Sequence, residues 1–285
     1  MKGTFLFTLI TQVIAAPTLE SRATYDSSAF DALARSAKLS SAAYTGCTSN
    51  AFDVTITKQI RGTLTDTQGY VGYSTTNKKI SVVMRGSTTV TDILNDVDTT
   101  LVTPSLSGVT FPSGVKIMRG INRPWSAVHD DVISEVKSLI AKYPDYTLES
   151  TGHSLGGSLT YISYVALAQN FPDKEITSTA LAAFPIGNEA WANFASSLNG
   201  TLKRGNNVAD GVPNMYITIP YSFKHYGTLG HYQEYYSAGL AATCKRCDGQ
   251  RDLSCSAGNG MLGVTAGHFQ SFGVTLGAAG CGLLS

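Results

Sequence analysis

The stretch Thr147-Leu148-Glu149-Ser150-Thr151-Gly152-His153-Ser154-Leu155-Gly156-Gly157 contains the motif G-x-S-x-G around Ser154. In this motif the serine lies on a sharp turn between a strand and a helix, and the glycines on either side let the backbone turn without clashes of a Cβ atom. The N–H of Leu155, at the start of the helix, would face the negative oxygen of a tetrahedral intermediate. Gly- and Ser-rich chains also match the pattern by chance, so an ordinary glycine turn is the alternative.

The residues on both sides of the motif fit a strand, a turn and a helix. Residues 143–145 end a preceding helix, residues 146–151 can form a strand, and residues 158–170 carry apolar side chains at helical spacing. Glu149 and Ser150 interrupt the apolar run that is typical of a buried parallel strand. The flanking pattern therefore favours the serine turn over a plain glycine turn.

Length and charge define the broad class of the chain. With 285 residues and no linker-like stretch, it is long enough for one large domain with a substantial core. Charged residues make up 14% of it, whereas an average domain has about 25%. The formal net charge is +1 and no cluster of Lys and Arg exceeds a pair, so neither nucleic acid nor an anionic membrane is an expected partner. We expect a monomer.

The N-terminus predicts secretion. Residues 1–16 combine one positive charge, an apolar run too short to span a bilayer, and small residues at its end, as a signal peptide does. Residues 17–26 are then a propeptide or N-terminal extension, with the mature chain starting between 17 and 23, and residues 27–285 are one folded domain. We expect an extracellular protein without integral membrane association. In the secretory pathway Asn199, in Asn199-Gly200-Thr201, is a candidate N-glycosylation site.

Cysteines in an oxidising compartment predict disulfides. The chain has five: Cys47, Cys244, Cys247, Cys255 and Cys281. The spacing Cys244-x-x-Cys247 is also seen in metal sites, but no His follows at zinc-finger spacing, so we expect no metal. We expect a long-range bond Cys47–Cys281 and a local bond from Cys247 or Cys244 to Cys255, which leaves one thiol unpaired.

The remaining patterns predict an α/β fold. Three strand-like runs follow each other without a helix, which predicts an antiparallel start; strands and helices then alternate, which predicts a mixed, mostly parallel central sheet flanked by helices. His129, among the acids of one helix, is expected to have a surface or packing role. The predicted helices cover 27–44, 124–143, 158–170 and 189–198, and the predicted strands cover 52–60, 69–74, 79–84, 115–118, 146–151, 176–184 and 201–207.

Two segments after strand 79–84 bear on the site. Ser87 lies where a sheet presents residues at its carboxyl edge, and its N–H and hydroxyl are candidates for a second oxyanion donor beside the N–H of Leu155. An ordinary loop serine is the alternative. The segment 88–102 has few apolar side chains, at roughly helical spacing, and is a candidate lid over the active site; the lid residues are Thr88, Val90, Ile93, Leu94 and Val97.

A serine nucleophile needs a base and a carboxylate that orients the base. In sheets with such a serine turn, the order along the chain is Ser, then Asp or Glu, then His. Ser154, Asp210 and His268 follow that order. Asp210 stands in a Gly- and Pro-rich turn after a predicted strand, although an ordinary Asp-Gly turn is the alternative. Four other residues remain rivals for the acid and the base: Asp173, Asp248, His225 and His231.

The chain resembles the fungal class 3 lipases, a branch of the α/β-hydrolases that also contains fungal feruloyl esterases. The resemblance runs from Ala42-Ala43-Tyr44 to the tail, and it departs from the family at Ile186, where Arg is usual, and at Tyr236, where Trp is usual. The segments that carry it are Arg85-Gly86-Ser87, Tyr143-Pro144-Asp145-Tyr146, Gly152-His153-Ser154-Leu155-Gly156-Gly157, Pro185-Ile186-Gly187-Asn188, Asp210-Gly211-Val212-Pro213, His231-Tyr232-Gln233-Glu234-Tyr235-Tyr236, and His268 with Phe272-Gly273.

The resemblance implies an α/β-hydrolase fold and hydrolysis of carboxylic esters through an acyl-enzyme. It implies Ser154 as nucleophile, Asp210 as orienting acid and His268 as base, and it implies no cofactor. The implied oxyanion donors are Ser87 and Leu155. His153 is a motif residue beside the nucleophile and not the base.

The composition of the lid bears on the substrate. Lipases of this type carry a lid with a pronounced apolar face that opens on an oil surface, whereas residues 88–100 are rich in Thr and Asp and lack aromatic side chains. We therefore expect an esterase of the feruloyl-esterase type, acting on soluble or cell-wall-linked esters. The alternatives are a triacylglycerol lipase with interfacial activation and a catalytically inactive secreted binding protein on the same fold.

Overall fold

Ten strands form one mixed sheet at the centre of the fold. The computed structural model describes residues 24–62, 65–87, 97–226 and 232–282. The strands in these ranges are β1 (Thr24–Tyr25), β2 (Asn50–Ala51), β3 (Val54–Gly62), β4 (Thr67–Ser74), β5 (Lys79–Met84), β6 (Leu101–Val102), β7 (Ile117–Met118), β8 (Thr147–His153), β9 (Ile176–Leu181), β10 (Thr201–Asn207), β11 (Tyr232–Ser237), β12 (Lys245–Cys247), β13 (Gln270–Ser271) and β14 (Val274–Thr275).

The strand order in the sheet is β1-β12-β11-β10-β9-β8-β5-β4-β3-β2. The central strands β5, β8, β9, β10 and β11 are parallel, and the strands on both sides of them pair antiparallel. The remaining strands form two small pairs, β6 with β7 and β13 with β14. The antiparallel start and the later parallel strands agree with the sequence prediction.

Helices cover both faces of the sheet. They are α1 (Phe30–Thr45), α2 (Arg119–Ser126), α3 (His129–Lys142), α4 (Leu155–Asn170) and α5 (Glu189–Ser197). Successive side chains of a strand point to opposite faces: Val82 and Met84 of β5 join the large core with α2 to α5, whereas Val83 packs with α1. The predicted α/β class, a mixed sheet flanked by helices, is confirmed.

One predicted helix is divided in the structure, and residues of the predicted N-terminal extension contribute to the sheet. The helix predicted over 124–143 is two helices, α2 and α3, separated at Ala127 and Val128. Pro124 lies inside α2 rather than in a first turn, and because proline has no N–H it cannot continue the helical hydrogen bonds. At the N-terminus, Thr24 and Tyr25 pair with Arg246 and Lys245, so the sheet includes residues that we had assigned to an extension ending at residue 26.

The polar residues that interrupt the apolar run of β8 serve both faces of the sheet. Glu149 faces α1, where its carboxylate accepts hydrogen bonds from Arg35 at 2.9 Å and from the Ser81 hydroxyl at 2.6 Å. Ser150 faces the other side and donates to the hydroxyl of Ser163 in α4 at 2.8 Å. Both are buried, and each has a hydrogen-bond partner on a helix that packs against the sheet.

Two disulfides fix the two ends of the domain. Cys47–Cys281 joins the end of α1 to the tail, as predicted, and Cys247–Cys255 closes a short loop. The choice left open by the sequence is thereby resolved, since Cys244 has a free, buried thiol. Burial, with the nearby charge of Asp26, raises the pKa of that thiol to about 11.

The described ranges bear on two kinds of partner, a membrane and a metal ion. None of the helices there combines the length and the apolarity that crossing a membrane requires. No three His, Cys, Asp or Glu side chains in those ranges are grouped as metal ligands would be.

Candidate active site

Ser154 lies on the turn between β8 and α4 in a strained conformation. Its φ is 61° and its ψ is −127°, which places a non-glycine residue in a sparsely populated region, as in a nucleophile turn. A Cβ on Gly152 would lie 2.3 Å from the carbonyl oxygen of Gly156, and a Cβ on Gly156 would lie 2.2 Å from that of Met84. The two glycines of the motif are therefore required by close backbone contacts.

Ser154, His268 and Asp210 form a continuous chain of hydrogen bonds. His268 Nε2 lies 2.8 Å from Ser154 Oγ, and His268 Nδ1 lies 3.0 Å and 3.1 Å from the two carboxylate oxygens of Asp210. Because a carboxylate only accepts, Nδ1 donates to it and Nε2 is left to accept the serine proton. All three side chains are fully buried. The arrangement can activate a serine oxygen as a nucleophile.

The Asp210 turn is held by hydrogen bonds to its main chain. It follows β10, and Ala209 has a left-handed φ of 59°. The Asn259 side chain donates to the carbonyl oxygen of Asp210 at 2.8 Å, and the Thr265 hydroxyl donates to that of Ala209. Asp210 Oδ1 also accepts from the N–H of Val212 at 3.0 Å. These bonds fix the direction in which the carboxylate points.

His153 supports the main chain of His268. Its Nε2 lies 2.8 Å from the carbonyl oxygen of His268 and must donate, so its Nδ1 accepts from the Tyr44 hydroxyl at 3.1 Å. Burial, and secondarily the charge of His268, holds the pKa of His153 well below its usual range. His153 is therefore a neutral donor with a positioning role. Neither this bond nor the contact with Tyr44 was predicted from the sequence.

The two candidate oxyanion donors, Ser87 and Leu155, line one cavity of about 360 Å³. Leu155 is the first residue of α4, whose N-terminal N–H groups are not used within the helix. Leu159 and Val97 contribute apolar side chains to the wall of the cavity, and the exposed Arg123 also lines it. A substrate carbonyl in this cavity would lie beside the serine turn.

Most of the candidate lid lies outside the described residues. This applies to Thr88, Val90, Ile93 and Leu94, whose lid role stays a prediction. Val97 is described: it is partly buried, packs against the large core and lines the cavity with Ser87.

The rival residues lie elsewhere or have other partners. His225 is buried, donates through Nε2 to the carbonyl oxygen of Pro213 at 2.8 Å and accepts from the Tyr161 hydroxyl at 3.0 Å. Asp173 is exposed after α4, Asp248 follows Cys247, and His231 lies outside the described residues.

His129 and Asn199 also have defined positions. His129 is buried and its Nε2 donates to the carbonyl oxygen of Ser107 at 2.8 Å, so it has the packing role that we expected and not a surface one. Asn199 is exposed in the turn between α5 and β10, where a glycan would meet solvent, and its glycosylation stays a prediction.

Comparison with known proteins gives consistent matches. The family model "Lipase (class 3)" matches residues 81–219. The chain is 66% identical to a secreted alkaline triacylglycerol lipase of Penicillium cyclopium over 277 residues, which cover 97% of this chain and 95% of that protein. It is also similar to the crystal structure of a triacylglycerol lipase from Penicillium expansum, with 66% identity, a TM-score of 0.89, and coverage of 92% of this chain and 100% of that one.

A more distant structure shares the fold. A triacylglyceride lipase of Rhizomucor miehei has 25% identity and a TM-score of 0.76, with coverage of 90% of this chain and 99% of that one.

Proposed function

The chain belongs to the class 3 lipase family and is a carboxylic ester hydrolase, and from that premise we propose that it is a secreted triacylglycerol lipase. The observation that carries the choice of substrate is the 66% identity, over nearly the whole of both chains, to a protein named a secreted alkaline triacylglycerol lipase. From the sequence alone we expected a feruloyl-type esterase first and a triacylglycerol lipase second. That order rested on the composition of residues 88–100, whereas the comparisons favour the lipase.

The hydrogen bonds support a mechanism in two halves. Ser154 Oγ attacks the ester carbonyl carbon while His268 Nε2 takes the hydroxyl proton, and the same proton then goes to the departing alcohol oxygen. Water next attacks the acyl carbon with His268 again as base, the bond from that carbon to Ser154 Oγ breaks as His268 Nε2 returns the proton to Oγ, and the fatty acid leaves. Asp210 keeps the proton of the imidazole on Nδ1 and stabilises the imidazolium that forms.

The oxyanion of each tetrahedral intermediate would be held at the cavity shared by Ser87 and Leu155. The donors proposed are the N–H of Leu155 and the N–H or hydroxyl of Ser87. Removing one such donor costs about 3 to 4 kcal/mol of transition-state stabilisation in serine hydrolases. Replacing Ser87 by Ala tests the contribution of its hydroxyl, and its N–H is retained in that variant.

A substrate panel tests the proposed function. We expect hydrolysis of emulsified triolein and of tributyrin, with a rise in rate above the solubility limit of tributyrin, and little hydrolysis of methyl ferulate. The opposite preference would restore the esterase hypothesis. A fluorophosphonate probe should label Ser154 in the wild type and not in Ser154→Ala; no label on the folded wild type would favour the inactive binding protein.

Secretion is tested on protein recovered from culture medium. Mass spectrometry should place the first residue no later than Thr24, because Thr24 already pairs in the sheet. A glycosidase that removes N-linked glycans should lower the mass of the wild type but not of Asn199→Gln. Light scattering should give the mass of a monomer.

A further inference from the structure

One loop beside the candidate active site holds large apolar side chains out into solvent. This loop, residues 247–263, is called the leucine loop below. Leu253 is 75% exposed and Leu262 is 73% exposed, and Met261 is also exposed. Apolar side chains that lie near each other at a surface indicate a site of interaction.

The leucine loop touches the turn that carries the acid of the triad. Asn259 of the loop donates to the carbonyl oxygen of Asp210, and Gly263 bridges to Gly211. The loop and the turn approach so closely that a Cβ on Gly211 would lie 2.5 Å from the backbone nitrogen of Leu262. The exposed Phe269 directly follows His268. Exposed apolar side chains are therefore carried by the segment that contacts the Asp210 turn and by the residue next to His268.

The leucine loop is fixed in place by several bonds. The disulfide Cys247–Cys255 closes its first half. The buried guanidinium of Arg204, which is paired with Glu234, donates to the carbonyl oxygen of Gln250 at 3.0 Å. The Asn214 side chain donates to the carbonyl oxygen of Ser256 at 2.9 Å and to that of Met261 at 3.1 Å. The leucines are thus presented by a fixed loop and not by a lid.

The charge of this region identifies the kind of partner. The charged residues of the leucine loop, Asp248, Arg251 and Asp252, all precede Leu253, and from Leu253 to Ser285 the sequence contains no Lys, Arg, Asp or Glu. The part of the loop that carries the exposed leucines therefore offers no charge to an anionic membrane or to a charged protein, whereas transfer of exposed leucines into an apolar phase lowers the free energy. A neutral lipid surface meets both conditions, and it presents the ester to Ser154.

We propose that the leucine loop is a fixed docking surface for an electrically neutral lipid–water interface. The loop is a different segment of the sequence from the predicted lid, and it is connected to Asp210 through Asn259. The proposal rests on the proposed lipase function. It predicts that adsorption to the interface depends on Leu253 and Leu262 even in a protein that cannot hydrolyse the lipid.

The test measures adsorption in a Ser154→Ala background, so that no product alters the surface. Protein is mixed with a neutral triolein emulsion, and the fraction left in the water phase after centrifugation gives the partition coefficient. Leu253→Asn and Leu262→Asn should each lower that coefficient about tenfold, or about 1.4 kcal/mol, with little dependence on salt. Tyr25→Gln is the control: Tyr25 is 67% exposed, but it lies on an edge strand opposite Lys245, whose ammonium group lies over its ring.

Each outcome bears on one proposal. Unchanged adsorption of the double leucine variant, or an equal loss in Tyr25→Gln, overturns the docking surface. The docking surface is also overturned if the wild type is a dimer and the leucine substitutions dissociate it, because the loop would then bind a second copy of the chain. A Leu262→Trp variant gives an independent measurement: its tryptophan emission should shift to the blue on addition of emulsion, and no shift also overturns the proposal. If adsorption falls as expected while wild-type protein does not hydrolyse triolein, the lipase function alone fails.

Discussion

His153 Nε2 lies 2.8 Å from the main-chain carbonyl oxygen of His268, so the residue before the proposed nucleophile holds the backbone of the proposed base. The Tyr44 hydroxyl, at the end of α1, fixes the other ring nitrogen of His153. A hydrogen-bonded chain therefore runs from α1 through the end of β8 to the His268 turn. The position of the base depends on this chain as well as on Asp210.

Replacement of His153 by Leu should therefore impair catalysis without removing a catalytic group. The variant leaves the carbonyl of His268 without its buried donor, and a shift of the imidazole by a fraction of an ångström is expected to lower kcat by about 100-fold. KM for a soluble p-nitrophenyl ester should change little. His153→Gln, which keeps a donor, should recover part of kcat.

The pH profile distinguishes a positioning role from an electrostatic one. Because burial keeps His153 neutral, with its pKa well below the usual range, its loss should leave the acidic midpoint of kcat/KM where it is. A shifted midpoint, or full kcat in His153→Leu, would contradict the positioning role.

Asp210→Asn should lower kcat about 10⁴-fold. The amide is nearly isosteric, and the bond from Asn259 goes to the main chain and is retained. An amide NH₂ facing Nδ1 would favour the tautomer with its proton on Nε2, which cannot accept the serine proton. Steady-state kinetics with tributyrin measure the loss. Asp173→Asn, at an exposed rival carboxylate, is the matched control and should be fully active. Equal losses of kcat in the two variants would contradict the assignment of Asp210 as the acid of the triad.

The sequence predicted those parts of the site that local patterns encode. The serine turn is such a pattern, because the motif G-x-S-x-G is visible within five residues, although the contact that requires Gly156 is with Met84 on the neighbouring strand β5. Asp210 and His268 were ranked by their order along the chain, and the hydrogen bonds bring both to Ser154.

Other features depend on tertiary contacts and leave no local pattern. Asn259 and Tyr44 act through single hydrogen bonds to residues distant in the sequence, so nothing in their own segments marks them. The break between α2 and α3 was missed because apolar spacing continues through Val128. The sequence showed that Glu149 interrupts the apolar run of β8. It did not show that the partner of Glu149 is Arg35, because Arg35 lies far away in the sequence, on α1.

The carboxylate of Asp53, which binds Arg35, is expected to make the stability of the fold depend on pH. Burial alone would raise the pKa of Asp53, but hydrogen bonds from Arg35, Ser74 and Asn77 outweigh it and lower that pKa below 3.8. A carboxyl with a lowered folded-state pKa contributes stability above its unfolded pKa and loses it as pH falls through the folded value. The urea midpoint of the wild type should therefore fall steeply below about pH 4.

Asp53→Asn isolates this contribution. The variant should be less stable than the wild type at pH 6, and the difference should shrink as the pH is lowered toward 2. Asp173→Asn again serves as the exposed control. A difference that stays constant across this range would show that Asp53 contributes through packing and not through its charge.

The Cys47–Cys281 bond should contribute more stability than the Cys247–Cys255 bond. The first joins residues 234 apart in the sequence and the second residues 8 apart. Chain-entropy estimates give about 5 kcal/mol for the long loop and about 2.5 kcal/mol for the short one. Each pair is replaced by Ser in a Cys244→Ser background, so that the buried free thiol cannot exchange with the remaining bond. The thermal midpoint should fall by about 10 °C or more for the long bond.

Activity should rank the two bonds in the opposite order. The long bond fastens the tail, and His268 keeps its bonds to His153 and Asp210 without it. The short bond closes the loop whose Asn259 holds the carbonyl of Asp210. At 25 °C, therefore, loss of Cys247–Cys255 should lower kcat on a soluble ester, whereas loss of Cys47–Cys281 should leave kcat close to the wild-type value. If only the long bond affected kcat, the tail rather than the leucine loop would be positioning the triad.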